Sequence, residues 1–157
     1  MSEVLATLPG IHLPDVTDRP DGVRSAVARG RVRVGAEAFD QIRSRTLAKG
    51  DVLTVAQIAG ILGAKQASRL LPLCQDVHLG AIDVTIEPDE ADAALVVRAF
   101  VKAHGPTGVG MEALTAVTIA ALTIVDMCRS VSREAEITDV RLVAKTGGQS
   151  GDYRFAS

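Results

Sequence analysis

The residues with the clearest capacity for chemistry lie on one long apolar segment, residues 110–131. Asp126 and Arg129 are three positions apart, so on a helix they share a face. Glu112 precedes Asp126 by fourteen residues, close to a whole number of turns, and therefore lies near the same face. At about 1.5 Å of rise per residue, the two carboxylates are roughly 21 Å apart, too far to act on one small reacting centre. This spacing predicts either contacts with two ends of a long substrate or active sites at the interface of an oligomer.

A simpler interpretation is that Asp126 and Arg129 form an ordinary surface pair, which would stabilise a helix by about 0.2–0.5 kcal/mol. The positions around them are apolar: Ile119, Leu122, Ile124 and Met127. A charge on a largely buried helix needs a partner or a function, and this favours the functional interpretation.

Two lysines stand next to glycine-containing segments. Lys49 directly precedes Gly50 at a predicted helix start, and Lys145 precedes the glycine loop of residues 146–153. A cation beside exposed backbone N–H groups is arranged to bind a phosphate. The alternative is a pair of solvated surface lysines. Neither this loop nor the loop of residues 105–110 matches a phosphate-binding consensus such as the P-loop.

The histidines and cysteines predict no metal site. His12, His78 and His104 are scattered, without metal-ligand spacing. His78 falls on the apolar side of a predicted strand, which favours a buried structural role. Cys74 and Cys128 form neither a metal knuckle nor a redox motif, and we expect two unpaired core thiols.

Composition excludes several classes of protein. The 157 residues fit a single domain, and the 47% hydrophobic residues with only 3% aromatics predict an aliphatic core. A net charge of −2 gives no attraction to nucleic acid or to a membrane surface. The N-terminus does not resemble a signal peptide, and we expect no apolar run to be long enough to span a membrane. We therefore expect a cytoplasmic protein.

Hydrophobic periodicity divides the chain into an extended or flexible arm, residues 1–22, and one domain, residues 23–157. Alternation predicts strands at residues 24–34, 78–87, 94–102 and 137–145, the middle two forming a hairpin. Helical spacing predicts helices at residues 36–47, 52–70 and 111–131, with Asp51 as an N-cap. This order predicts an α+β, ferredoxin-like sandwich, an antiparallel sheet with helices on one face.

Several longer motifs occur in a specific order. They are Lys49-Gly50-Asp51-Val52, Leu71-Pro72-Leu73-Cys74, Met111-Glu112-Ala113-Leu114, Asp126-Met127-Cys128 and Lys145-Thr146-Gly147-Gly148. In this order and spacing they resemble the molybdenum cofactor biosynthesis protein C (MoaC) family, the cyclic pyranopterin monophosphate synthases. The resemblance extends from Asp15 to Tyr153.

The resemblance implies a ferredoxin-like fold assembled as a hexamer, a trimer of dimers, with active sites between subunits. It implies conversion of a cyclic dihydro-GTP intermediate into cyclic pyranopterin monophosphate with release of pyrophosphate, and no metal or organic cofactor. By position, Asp126 matches the family's catalytic aspartate, and Lys49 and Lys145 match lysines of the site. Substrate-binding positions are matched by Leu73, Cys74, Gln75, Met111, Glu112, Arg129 and Arg24, the last placed to hold phosphate.

Five positions depart from the family pattern. Gln75-Asp76 stands where the family has His-Pro, Gly110 replaces an acidic residue, Arg129 replaces a lysine, and Gln149 replaces a lysine. The loop before Lys49 is also shorter than in the family and lacks a histidine. Glutamine cannot exchange a proton near neutral pH, and arginine is a poor general acid. Two alternatives to the family reaction therefore remain open. One is a divergent paralogue acting on another nucleotide, and the other is a non-catalytic homologue that binds a phosphorylated ligand or has a structural role.

Overall fold

A computed structural model describes residues 10–156. The strands are β1 (Gly22–Arg33), β2 (Leu79–Asp89), β3 (Ala94–Gly105), β4 (Glu136–Thr146) and β5 (Tyr153–Arg154). The helices are α1 (Ala36–Ser44), α2 (Val52–Lys65), α3 (Ala67–Leu70) and α4 (Gly110–Cys128), and a 3-10 turn, Glu90–Asp92, joins β2 to β3. Residues 10–21 of the expected arm contain no helix or strand, whereas its last residue, Gly22, begins β1; residues 1–9 of the arm lie outside the described residues.

The five strands form one antiparallel sheet in the order β2-β3-β1-β4-β5. The helices pack on this sheet, and the buried core lies between the two layers. The predicted ferredoxin-like α+β sandwich is therefore confirmed. The hairpin of β2 and β3 is also confirmed, since they pair in register from Ala81↔Lys102 to Asp89↔Ala94.

Helices α2 and α4 approach each other closely because glycine faces the contact. A Cβ at Gly60 would lie 3.1 Å from the Ala116 carbonyl oxygen, and one at Gly63 would lie 2.9 Å from Ile119 Cβ. Side chains at these positions would force the helices apart. The close packing fixes the orientation of α4, whose two ends carry the chemically interesting residues.

The boundaries of several elements follow local signals. Asp51 is the N-cap of α2, and its carboxylate accepts from the N–H groups of Leu53 and Thr54. The single helix predicted over residues 52–70 is interrupted at Gln66, which ends α2 and precedes the short α3.

The buried role expected for His78 is wrong. The side chain is exposed because β2 begins one residue later, at Leu79. A register shift between Leu79 and Ala81 also breaks the alternation that would have placed His78 on the Val84 face.

The expectation that no apolar run is long enough to span a membrane is wrong for α4, which passes by length and composition alone. More than half of its most apolar window is buried inside the fold. Ala113, Val117, Ala121 and Ile124 are fully inaccessible. Helix α4 is therefore the central core helix of the domain, which explains its composition.

Candidate functional site

Arg24, near the start of β1, holds together the loops that surround a cavity at this end of the sheet, the loop cavity described below. It is only 7% exposed. Its Nε donates to the Gly105 carbonyl at 3.2 Å, and its Nη2 donates to the Pro20 carbonyl at 3.3 Å. Gly147 and Gly148 wrap closely over it, both with positive φ, and a Cβ on Gly148 would lie 2.8 Å from Nη1. Only glycine permits this approach.

The loop cavity, about 310 Å³, lies between the arm, the loop of residues 106–110 and the glycine loop of residues 145–150. Three cations line it: Arg19, Arg24 and Lys145. The Lys145 ammonium donates to Ser150 Oγ at 3.0 Å, which holds it against the glycine loop. None of the acidic residues in the described part of the chain, residues 10–156, lines this cavity. The lining therefore favours an anionic ligand.

A second cavity, about 230 Å³, is built around the first turn of α4 and is called the Glu112 cavity here. Glu112 is 4% exposed, and its Oε2 has no hydrogen-bond partner among residues 10–156. The Cys74 thiol donates to its other oxygen, Oε1, at 3.5 Å. A buried carboxylate oxygen without a partner is costly, so Oε2 is the natural acceptor for a ligand's N–H or O–H donor.

Burial perturbs both groups. Desolvation raises the pKa of Glu112, an effect that the Cys74 hydrogen bond partly opposes. Desolvation, followed by the nearby Glu112 carboxylate, raises the pKa of Cys74 to about 11. Cys74 is therefore a protonated hydrogen-bond donor at neutral pH. Cys74 is only half-buried, so the expectation of a core thiol is wrong for this residue. The expectation is confirmed for Cys128, which is buried, and both cysteines are free.

The two cavities share a wall. Arg19, Thr107 and Gly108 line both of them. A ligand spanning this wall would place one end among cations and the other beside a buried carboxylate. This arrangement suits an elongated molecule with a polyanionic end and a donor-rich ring.

Lys49 and Asp126 form a separate cluster at the C-terminal end of α4. The Lys49 ammonium donates to the Asp126 carbonyl at 2.8 Å and to its Oδ2 at 3.4 Å. Both side chains are well exposed, 47% and 71% respectively. The Asp126 carbonyl, in the last turn of α4, also accepts a hydrogen bond from the Arg129 N–H at 3.4 Å. Arg129, the C-cap residue, lies beside them and is exposed.

The structure therefore divides the residues singled out from the sequence into three groups. Those brought together in the Glu112 cavity are Leu73, Cys74, Gln75, Met111 and Glu112. Arg24 and Lys145 line the loop cavity. Lys49, Asp126 and Arg129 lie at the opposite end of α4, which is about 24 Å long between Gly110 and Asp126. One chain does not bring Asp126 and Lys145 into a single site.

The residues that depart from the family pattern can now be placed in the structure. The Gln75 amide donates to the Pro14 carbonyl at 2.5 Å. Asp76 accepts a hydrogen bond from Ser68. Gly110 begins α4 and lines the loop cavity with Gln149, and a Cβ there would meet Leu142 only at ordinary contact distance, 3.6 Å. The space for a side chain is therefore present at Gly110.

Sequence reasoning missed Arg19, Thr107 and Ser150. Arg19 lies in the segment interpreted as an extended or flexible arm, and Thr107 and Ser150 lie in loops without periodicity. The signal for Arg19 was that the family resemblance begins at Asp15, inside that arm, and the signal for Ser150 was that Ser150-Gly151-Asp152 also belongs to the resemblance. Among residues 10–156, no group of three His, Cys, Asp or Glu side chains is placed to hold a metal ion.

Comparison with known proteins agrees with this arrangement. The family model described as "MoaC family" matches residues 13–148, most of the chain and all three groups of site residues. The chain belongs to the MoaC family. The match begins within the arm, so the family relationship includes Pro14 and Arg19 as well as the sheet and helices.

Individual relatives support the assignment over nearly the full chain. A cyclic pyranopterin monophosphate synthase of Salinibacter ruber is 52% identical over 148 residues, 94% of this chain and 87% of its own length. The corresponding synthase of Heliobacterium modesticaldum is 47% identical over 92% of this chain and 91% of its own length. Molybdenum cofactor biosynthesis protein 1 of Mus musculus is 47% identical over 90% of this chain, which spans 22% of that protein.

Proposed function

We propose that this chain is a cyclic pyranopterin monophosphate synthase of molybdenum cofactor biosynthesis. It would convert a guanosine-derived cyclic dihydro-GTP intermediate into cyclic pyranopterin monophosphate, with release of pyrophosphate. The observation that carries the proposal is the pair of joined cavities, one lined by Arg19, Arg24 and Lys145 and the other containing buried Glu112.

The chemistry of such a substrate fits these surroundings. Its phosphates suit the loop cavity, where Lys145 and the backbone of Gly147 and Gly148 lie together. Its guanine-derived ring carries N–H donors, which suit the free Oε2 of Glu112. Cys74 donates to Oε1, so Oε2 is the oxygen of this carboxylate that has no partner and can accept from the ring.

The remaining residues would come from a second copy of the chain. Leucine and other large apolar side chains are exposed along α2 and α4: Val55, Ile58, Leu62, Met111 and Leu122. If two copies pair along this strip with their α4 helices antiparallel, the C-terminal end of one α4 meets the N-terminal end of the other. Asp126 and Lys49 of one subunit would then face the cavities of its neighbour.

In that arrangement each group has a distinct role. Asp126 is the carboxylate available for proton transfer, and Lys49 orients it through the 3.4 Å contact. Lys145 and Arg129 stabilise negative charge on the phosphates, the latter without acting as an acid. We further propose the hexamer implied by the family, built from three such dimers.

A second candidate is a homologue that binds the phosphorylated ligand without turning it over. It is favoured by Gln75, whose amide cannot transfer a proton near neutral pH and is hydrogen-bonded to the arm, and by the absence of a side chain at Gly110. The phosphate-binding cations remain in this case, while groups that contribute about 10²- to 10⁴-fold each in rate are missing.

The purified protein should be incubated with the cyclic dihydro-GTP intermediate while pyrophosphate and pyranopterin are measured. We expect both products, a large loss in Lys145→Ala, and unchanged rates in Arg133→Gln, a control at an exposed arginine in the loop before β4. Tight binding without product would reject the synthase assignment and support the second candidate. Gain of activity in a Gln75→His, Gly110→Glu, Arg129→Lys triple variant would then show which groups had been lost.

A further inference from the structure

The described part of the arm follows a fixed path although it contains no helix or strand. It is tied to the domain at two points, by the Gln75 amide on the Pro14 carbonyl and by Arg24 Nη2 on the Pro20 carbonyl. Between these points the chain turns on itself. Thr17 donates to Asp15 Oδ1 through its N–H at 2.9 Å and its hydroxyl at 2.7 Å.

Arg19 lies at the end of this turn, where its N–H donates to the Val16 carbonyl at 3.0 Å. Its side chain lines both the loop cavity and the Glu112 cavity. Within residues 10–156, its guanidinium forms no ion pair with a carboxylate. The guanidinium therefore faces the shared wall of the two cavities with its donors available.

Arg24 differs in this respect. It is buried, and its Nε and Nη2 already donate to the carbonyls of Gly105 and Pro20. Its expected role of holding phosphate is thus restricted by contacts that keep the loop and the arm together. One of those contacts fixes the residue directly after Arg19.

We propose that Arg19 binds the substrate's phosphates and that Gln75 is a positioning residue, which holds the arm so that Arg19 reaches the wall between the cavities. This inference rests on the proposed phosphorylated substrate and names the residues that recognise its anionic part. Gln75 suits the role because its amide N–H can donate to a backbone carbonyl at any pH.

The first test is calorimetric binding of inorganic tripolyphosphate at pH 8 and constant low salt. Charge-assisted hydrogen bonds predict about 10- to 100-fold weaker binding in Arg19→Gln. Gln75→Met keeps the side-chain length but removes the donor, and we expect severalfold weaker binding. Gln75→His retains a ring N–H and should bind more tightly than Gln75→Met. Arg133→Gln, a matched exposed arginine outside both cavities, should bind as the unmodified protein does.

A double variant distinguishes positioning from direct contact. If Gln75 acts through Arg19, Gln75→Met has no further effect on affinity in the Arg19→Gln background. Hydrogen exchange at the Thr17 and Arg19 amides should accelerate in Gln75→Met and stay unchanged in Arg19→Gln. Equal effects of Gln75→Met in both backgrounds, or unchanged amide exchange, would overturn the positioning role.

The inference and the proposed function fail in different ways. If tripolyphosphate binding depends on Arg19 but the protein does not turn over the cyclic dihydro-GTP intermediate, the role of Arg19 is supported and the synthase assignment is rejected. If the Arg19→Gln variant instead turns over the intermediate at the normal rate with an unaltered KM, while its melting temperature matches that of the unmodified protein, the synthase assignment is supported and the role of Arg19 is rejected.

Discussion

Mixing two inactive variants tests whether one active site is assembled from two copies of this chain. Lys145→Ala removes the cation of the loop cavity, and Asp126→Asn removes the carboxylate at the other end of α4. Sixteen residues separate Gly110, at the cavity, from Asp126, a rise of about 24 Å along the helix. Neither side chain can bridge that distance, so the proposed site, which uses both residues, would need one end of α4 from each of two subunits.

The expected recovery follows from counting sites. When equal amounts of the two variants are unfolded together and refolded, about half of the dimers are mixed, and each mixed dimer contains one complete site and one doubly defective site. Activity should therefore return to roughly one quarter of that of the unmodified protein. Pyrophosphate release from the cyclic dihydro-GTP intermediate is the assay, and differently tagged chains establish that mixed dimers form.

The pair Lys49→Ala with Asp126→Asn is the matched control. Lys49 and Asp126 are hydrogen-bonded at the same end of α4, so every site in a mixed dimer retains one defect. We expect no recovery. Recovery in this control, or no recovery with Lys145→Ala despite verified mixed dimers, would refute the shared site.

Three further predictions concern the loops and the buried carboxyl. Burial raises the pKa of the Glu112 carboxyl group, so the folded state binds its proton more tightly than the unfolded state does. The free energy of unfolding therefore falls as the pH rises above the carboxyl group's ordinary pKa of 4.5. Glu112→Gln should raise the melting temperature at pH 7–8, and this gain should shrink as the pH is lowered toward about 4. Gly147→Ala should weaken tripolyphosphate binding more than Gly151→Ala, because both have positive φ but only the Gly147 Cβ would meet an atom, the Val23 carbonyl oxygen at 2.4 Å; equal effects in calorimetry would contradict this. Asp51→Ala should lower the free energy of unfolding by about 0.5–2 kcal/mol in urea titrations, because the α2 N-terminus loses its acceptor.

The regular elements were predictable because their signals are local. Alternation in β2 and β3, the capping aspartate at residue 51 and the helical period after residue 110 all act over a few positions. The errors occurred where such signals overlap or change. The helical pattern of residues 52–70 continues across the break at Gln66, and the register shift at Leu79 moves His78 to the surface.

The separation of Glu112 from Asp126 was also determined by the sequence alone, because helix rise converts residue number directly into distance. Which side chains meet was decided by the tertiary structure. Cys74 reaches Glu112 across 38 positions, and Gln75 reaches Pro14 across 61. These contacts join loops that have no periodicity, so local pattern can assign a residue to a face but cannot name its partner. Only the packed domain shows that Arg24 holds the arm and that Arg19 faces the cavities.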